Sequence, residues 1–229
     1  YQKLGVDWLA VAIAQEGIQL RKAGISIPIL VFGGVLQDQI QEFLDWDLEF
    51  TVSSLENLDW TEKTVQPIGK RARVHLKIDT GMERIGAPEY ETRDFLATAA
   101  KSDHLEIVGI YSHLACADDP ESPMTYEQLK RFNLAIEYFQ EHSSKKPICH
   151  LANSGGILHF PETFLDMIRP GIILYGVVPD PKSHKLLDLK PALSLKARVV
   201  YSKTVKAGSP ISYGATFRKR ILTVSYTHL

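Results

Sequence analysis

Short apolar runs of strand length recur along the chain, and most are separated by stretches of helical periodicity. Strands are read over Leu9–Ile13, Ile27–Phe32, Glu49–Val52, Arg73–Ile78, Glu106–His113, Ile148–Ala152 and Met167–Tyr175. Helices are read over Gln15–Lys22, Gln37–Leu44, Glu91–Ala100, Tyr126–His142 and Gly156–Phe164. Strands spaced by helices predict βα units and a parallel sheet.

Two α/β architectures compete. A doubly wound nucleotide-binding sheet usually carries a glycine-rich fingerprint after its first strand, and Gly33-Gly34 lacks the third glycine and the acidic partner downstream. A barrel places polar functional residues at the C-terminal ends of several strands, and this sequence does so. The expectation is a (β/α)8 TIM-like barrel over residues 1-178, with seven strands read and the first one lying before Tyr1. The chain opens on Tyr1 rather than Met, inside what reads as a helix ending near Gly5, so the start of the protein is expected upstream. After Gly176, Pro179, Pro181 and Pro191 punctuate a linker. Ala192–Lys206 then alternates as a long β segment, Gly208-Ser209-Pro210 turns, and Ile211–Phe217 begins another strand. Residues 190-229 are therefore expected to open a separate β domain.

Composition excludes several classes. The net charge of −1, with both signs interspersed, offers no footprint for nucleic acid or an anionic membrane. Apolar runs such as Ile29–Phe32 and Ile172–Tyr175 are far too short to cross a bilayer. No signal-peptide pattern opens the sequence. The two cysteines, Cys116 and Cys149, make no disulfide framework and have no metal-ligand spacing. A reducing cytoplasm and a metal-free protein are the expectations.

The strand ends carry the chemistry. In Val74-His75-Leu76-Lys77-Ile78-Asp79, apolar and polar residues alternate with period two, so Lys77 should point into the barrel. A buried lysine needs an anionic partner or loses its charge. Arg84 follows a turn at Asp79-Thr80-Gly81-Met82, a ready clamp for a carboxylate. Tyr111-Ser112-His113-Leu114 ends the fifth strand. His150-Leu151-Ala152-Asn153-Ser154-Gly155-Gly156 ends the sixth, where hydroxyl, amide and backbone N–H groups suit a phosphate. Arg169-Pro170-Gly171 interrupts an apolar stretch; a buried arginine demands acceptors, and a glycine admits close approach.

Five segments, in order and approximate spacing, resemble the alanine racemase family. They are Lys77–Gly86, Ser112–Ala115, His150–Ser154, Arg169–Gly176 and Ile211–Phe217. The resemblance implies a barrel binding pyridoxal 5'-phosphate, followed by a β domain, in a homodimer acting on alanine and supplying D-alanine for cell-wall synthesis. It implies that Arg169 faces the pyridine nitrogen, that His150 orients Arg169, and that His113 packs on the cofactor ring. Ser154 with the backbone N–H groups of Gly171 and Ile172 would hold the phosphate, and Asn153 would line the same pocket. Arg84 would contact the substrate carboxylate, and Lys77 matches a position often carbamylated.

The sequence also departs from the family. Its Schiff-base lysine segment, Lys-x-Asn-Ala-Tyr-Gly-His-Gly, is not present, and Lys3 has no such context. Where a Gly-Tyr-Ala-Asp-Gly stretch bearing the second base is expected, the chain reads Ser225-Tyr226-Thr227-His228-Leu229, an ending expected to be foreign. Both bases are thus expected outside the chain, which alone should not turn over. Two rival readings are a non-catalytic pyridoxal-phosphate carrier protein, which would end with the barrel, and a fold-type III decarboxylase, which would want an acid where Arg169 stands.

Overall fold

A computed structural model describes residues 1–181, 183, 186–218 and 223–228. The chain divides into two compact units, Tyr1–Lys190 and Pro191–Leu229.

The first unit is built on six parallel strands: β1 (Leu9–Val11), β2 (Ile29–Val31), β3 (Glu49–Val52), β4 (Ala72–Lys77), β5 (Leu105–Tyr111) and β6 (Ile148–His150). They lie side by side in chain order, β1-β2-β3-β4-β5-β6. A doubly wound sheet must reverse its strand order at a switch point; this order never reverses, and the sheet curls into part of a TIM-like barrel. Helices α1 (Ala14–Lys22), α2 (Ile40–Asp45), α3 (Leu55–Val65), α4 (Thr92–Lys101), α5 (Met124–His142) and α6 (Ser154–His159) follow the strands in turn.

Local chemistry starts these helices where they start. Glu16 Oε2 accepts the N–H groups of Ala12 and Ile13 ahead of α1. Ser54 Oγ accepts from Asn57 at the head of α3, an N-cap bond. The outward row of the sheet, including Val74, Leu76 and Ile78, packs with Phe95, Leu96 and Ala99 of α4 and Phe132 and Phe139 of α5 in one core. Each buried Val, Leu, Ile or Phe among them contributes about 1.5–3 kcal/mol. That core fixes which way β4 faces, and so sends His75 and Lys77 inward.

In the first unit three readings differ from the structure. No strand forms over Met167–Tyr175. Asp166 and Arg169 donate backbone N–H groups to Cys149 and Ala152 beside β6, but Pro170 has no N–H to continue a ladder, and Ile172–Tyr175 winds into a 3-10 turn ended by Gly176 at φ 79. The helix α3, between the third and fourth strands, was not expected. Tyr1–Gly5 holds only a 3-10 turn, Gln2–Leu4.

In the second unit, β7 (Val199–Val205) pairs antiparallel with β10 (Thr223–His228), Tyr226 opposite Ser202. The long strand expected over Ala192–Lys206 is confined to β7. The strand expected over Ile211–Phe217 is instead two short pieces, β8 (Pro210–Ile211) and β9 (Phe217–Arg218), paired with each other. A 3-10 turn, Tyr213–Ala215, separates them, after Ser212 at φ 61.

Among the described residues no helix is long and apolar enough to cross a membrane, and no cluster of side chains could hold a metal ion.

Candidate active site

The inward row of the sheet is polar. Strand register places Thr51 beside His75, His75 beside Gly109, Lys77 beside Tyr111, and Tyr111 beside His150. Glu49 stands two residues before Thr51 on the same face.

These groups satisfy one another. Glu49, at the start of β3, accepts on Oε2 from Trp8 Nε1 at 2.8 Å and lies 3.0 Å from His75 Nε2. Its Oε1 is 3.4 Å from Arg73. His75 Nδ1 is 2.9 Å from His150 Nε2, and His150 Nδ1 is 2.8 Å from Nη1 of Arg169. Arg169 Nη2 donates to the carbonyls of Ser112 (2.7 Å) and Leu151 (3.0 Å). Its guanidinium also lies over the rings of Tyr111 and Phe32, 5.3 and 5.9 Å from their centroids. Tyr111 stacks on His150 with centroids 4.7 Å apart and planes 4° from parallel. Thr51 Oγ1 donates to the Val31 carbonyl, so it accepts from the Tyr111 hydroxyl at 2.6 Å.

Burial dominates the titration of this row. It drives His150 well below the usual histidine range, with Arg169 and His75 adding to the effect. His75 is likewise lowered by burial, against the pull of Glu49. Both imidazoles are therefore neutral near pH 7. Glu49 is held below the ordinary carboxylate range: burial opposes ionisation, but the bonds from His75 and Trp8 and the charge of Arg73 prevail. Burial raises Tyr111 to about 12. It lowers Arg169 to about 10, which leaves the guanidinium a cation.

At the C-terminal ends of the strands positive charge accumulates. Lys77, buried with its Nζ 5.3 Å from the Tyr111 ring centroid, is lowered to about 8 by burial and then by Arg84 and Arg169. His113, beyond the end of β5, is lowered to about 4 by burial, Arg169, Lys77 and Arg84. Arg84 sits exposed on the loop after β4. Asp79 organises that loop, its carboxylate accepting the N–H groups of Gly81, Met82, Glu83 and Arg84. Gly86 closes it at φ 138, where a Cβ would lie 2.6 Å from the Asp79 nitrogen.

The other expected residues lie at the head of α6. Ser154 Oγ accepts from the Gly171 N–H at 2.9 Å, which brings two residues 17 apart in sequence to one point; the hydroxyl proton is still available to a further acceptor. Ile172 is the first residue of the adjoining 3-10 turn. Asn153 holds the turn together. Its Oδ1 caps α6 by accepting from Gly156, and its Nδ2 donates to the Leu114 carbonyl. Sequence reasoning placed His75 on the inner face but overlooked Glu49, Thr51 and Tyr111 as members of the row. The alternation Glu49-Phe50-Thr51-Val52 carries the same period-two signal as β4.

A curled parallel half-sheet with its cations gathered beyond the C-terminal strand ends defines a protein of the (β/α)8 barrel class. The family described as "Alanine racemase, N-terminal domain" matches residues 1–179. An alanine racemase of Methanococcus maripaludis is 40% identical over 218 residues, covering 94% of this chain and 58% of that protein. One of Desulforamulus reducens is 41% identical over 215 residues, covering 93% and 58%. Among solved structures, alanine racemase from Clostridium difficile 630 superposes with a TM-score of 0.84 at 33% identity, covering 99% of this chain and 60% of that one. The enzyme from D-cycloserine-producing Streptomyces lavendulae does so at 0.87 and 31%, covering 97% and 60%. The chain belongs to the alanine racemase family, and spans about 58% of the length of these curated relatives.

Proposed function

We propose that this chain is the cofactor-bearing barrel of a pyridoxal 5'-phosphate-dependent alanine racemase, interconverting L- and D-alanine in the complete protein. In this reading residues 1-178 form the cofactor barrel and 190-229 open the C-terminal β domain. The complete protein is a cytoplasmic homodimer supplying D-alanine to the cell wall. The observation that carries the reading is Arg169. It is a cation held by His150 and two carbonyls, at the place where an acid would stand in a decarboxylase of this fold.

The residues suit an anionic guest. Lys77, Arg84 and Arg169 gather positive charge together, and after burial their mutual repulsion further lowers Lys77 and His113; a phosphate or carboxylate would relieve that repulsion. Ser154 with the N–H groups of Gly171 and Ile172 would hold the phosphate, while Asn153 keeps the turn in shape. His113, neutral, would pack on the ring. Arg84 would take the substrate carboxylate, steadied by the Asp79 loop. When bound, pyridoxal phosphate withdraws electrons from the attached amino acid and acidifies its Cα–H. Arg169 keeps its own proton near pH 7, so it would face the ring nitrogen as a hydrogen-bond donor rather than as an acid. Such a donor would leave the cofactor a weaker electron sink, which would limit side reactions. No base is assigned among the residues of this chain.

The test is chiral chromatography of alanine incubated with the complete protein and pyridoxal phosphate. Interconversion of the enantiomers, abolished by Arg169→Glu, is expected. Cofactor binding without interconversion would overturn the reading in favour of a carrier.

A further inference from the structure

The hydrogen-bonded row does not end at His150. It continues through His75 to Glu49, from the C-terminal mouth of the half-barrel to the opposite end of β3, with Glu49, His75 and His150 all buried. Its direction follows from one fixed donor. Arginine only donates, so His150 Nδ1 accepts and its proton sits on Nε2. That proton points at His75 Nδ1, which must accept, so His75 carries its proton on Nε2. The last group, Glu49, is a carboxylate and only accepts.

We propose that Glu49 and His75 are positioning residues that act on Arg169 through His150. With Arg169 donating at one end of the order Arg169→His150→His75→Glu49, the Glu49 carboxylate excludes the reversed order at the other end, in which His150 would push Arg169 away, and so keeps Arg169 aimed. The inference rests on the proposed function for its consequence, but the order itself is a property of this chain.

A neutral imidazole can carry its proton on either nitrogen. If both rings were reversed, His150 would present an N–H to the Nη1 N–H of Arg169, and donor would face donor. A carboxylate at the far end excludes that state, because the reversed His75 would turn a lone pair toward it. The second carboxylate oxygen is kept in place by Arg73 and the first also by Trp8, so the anchor does not rotate away. Gly109 makes room for the contact: a Cβ there would collide with the His75 ring and come within 3.1 Å of His150 Nε2.

The test is long-range 1H–15N correlation of histidine ring nitrogens in the full chain, 15N-labelled at histidine, near pH 7 and without added cofactor. His75→Gln and His150→Gln serve to assign the signals. Both rings are expected as Nε2–H tautomers with Nδ1 unprotonated. In Glu49→Gln the amide can present a donor as well as an acceptor, and signals of the Nδ1–H tautomer are expected to appear for His75 and His150. In the complete protein the same variant is expected to lower kcat for alanine interconversion about tenfold with KM little changed.

An Nδ1–H tautomer or an imidazolium at either ring in the unsubstituted chain overturns the proposal without any variant having to fold. Tautomers unmoved by Glu49→Gln overturn it as well. An ordered Nε2–H pair in a protein that does not interconvert alanine would sink the functional reading and leave the proton order standing.

Discussion

Nη1 of Arg169 donates to Nδ1 of His150 across 2.8 Å, and through it a segment that forms no strand is locked to the sheet. With Nη2 on the carbonyls of Ser112 and Leu151, one side chain joins the ends of β5 and β6. Position 169 is thus both the proposed cofactor contact and a fastening of the fold.

Arg169→Lys should fail in both respects. An ammonium is a point charge without the planar fork, and it leaves at least one of the two carbonyls without a donor. A loss of about 2–3 kcal/mol is expected, seen as a fall in melting temperature of roughly 4–12 °C for a chain of this size. Alanine interconversion by the complete protein should drop at least about tenfold. An unchanged melting curve would contradict the fastening role.

Gly109→Ala should be severe although the glycine lies in the middle of a strand. The new Cβ would collide with the His75 ring, which is hemmed in by Glu49 and His150 and cannot retreat. Overpacking of this kind costs about 1–3 kcal/mol or more. Urea denaturation should show the midpoint falling at constant m-value. A midpoint equal to the parent's would mean that the ring has room to move.

Lys77 makes a pH-dependent cost. Its amine is lowered from 10.5 to about 8, first by burial and then by Arg84 and Arg169. Between those pH values the unfolded chain binds the proton that the folded chain has lost, so this group makes stability rise with pH from about 8 to 10.5. In carbon-dioxide-free buffer Lys77→Met should raise stability near pH 7 and flatten that rise. Carbon dioxide would add to the neutral amine with release of a proton, and an anionic carbamate would then stand among the cations. A carbamate carbon signal from 13C-bicarbonate, absent in Lys77→Met, is the expected result; its absence in the parent protein would argue against modification.

Asp79 sets the loop that carries Arg84. Burial disfavours its charge, yet the N–H groups of Gly81, Glu83, Arg84 and Met82 hold its pKa below 3.8. The stability it contributes is complete above the unfolded value and is lost as pH falls through the lower folded one. Asp79→Ala should speed hydrogen exchange at residues 81–84 and raise KM for alanine in the complete protein more than it lowers kcat. Protected amides in the variant would show the turn standing without its carboxylate.

Much of this molecule is legible in the chain itself. Alternation of strand-length apolar runs with helical stretches specifies parallel βα units, and five short segments in order carry the family resemblance, three of them at the ends of β4, β5 and β6. Period-two alternation in β4 places Lys77 inward, since only one face of that strand can join the apolar core. Other features depended on distance in space. The apolar stretch at Met167–Tyr175 has the composition of a strand, but Pro170 and the turn at Gly176 decide otherwise once β6 is beside it. The stretch over α3 does carry a helical signal, with Leu58, Thr61 and Val65 buried at spacings of three and four behind the Ser54 cap. Asn153 reads as lining the phosphate pocket, and only the structure shows that it also caps α6.

Glu49 marks the boundary between the two kinds of knowledge. Its face on β3 follows from alternation, a local rule that the chain obeys by itself. That it meets His75, and through His75 and His150 reaches Arg169, follows from the lateral register of β3, β4, β5 and β6. Register is set by packing among residues far apart in sequence, and only the tertiary structure decides it.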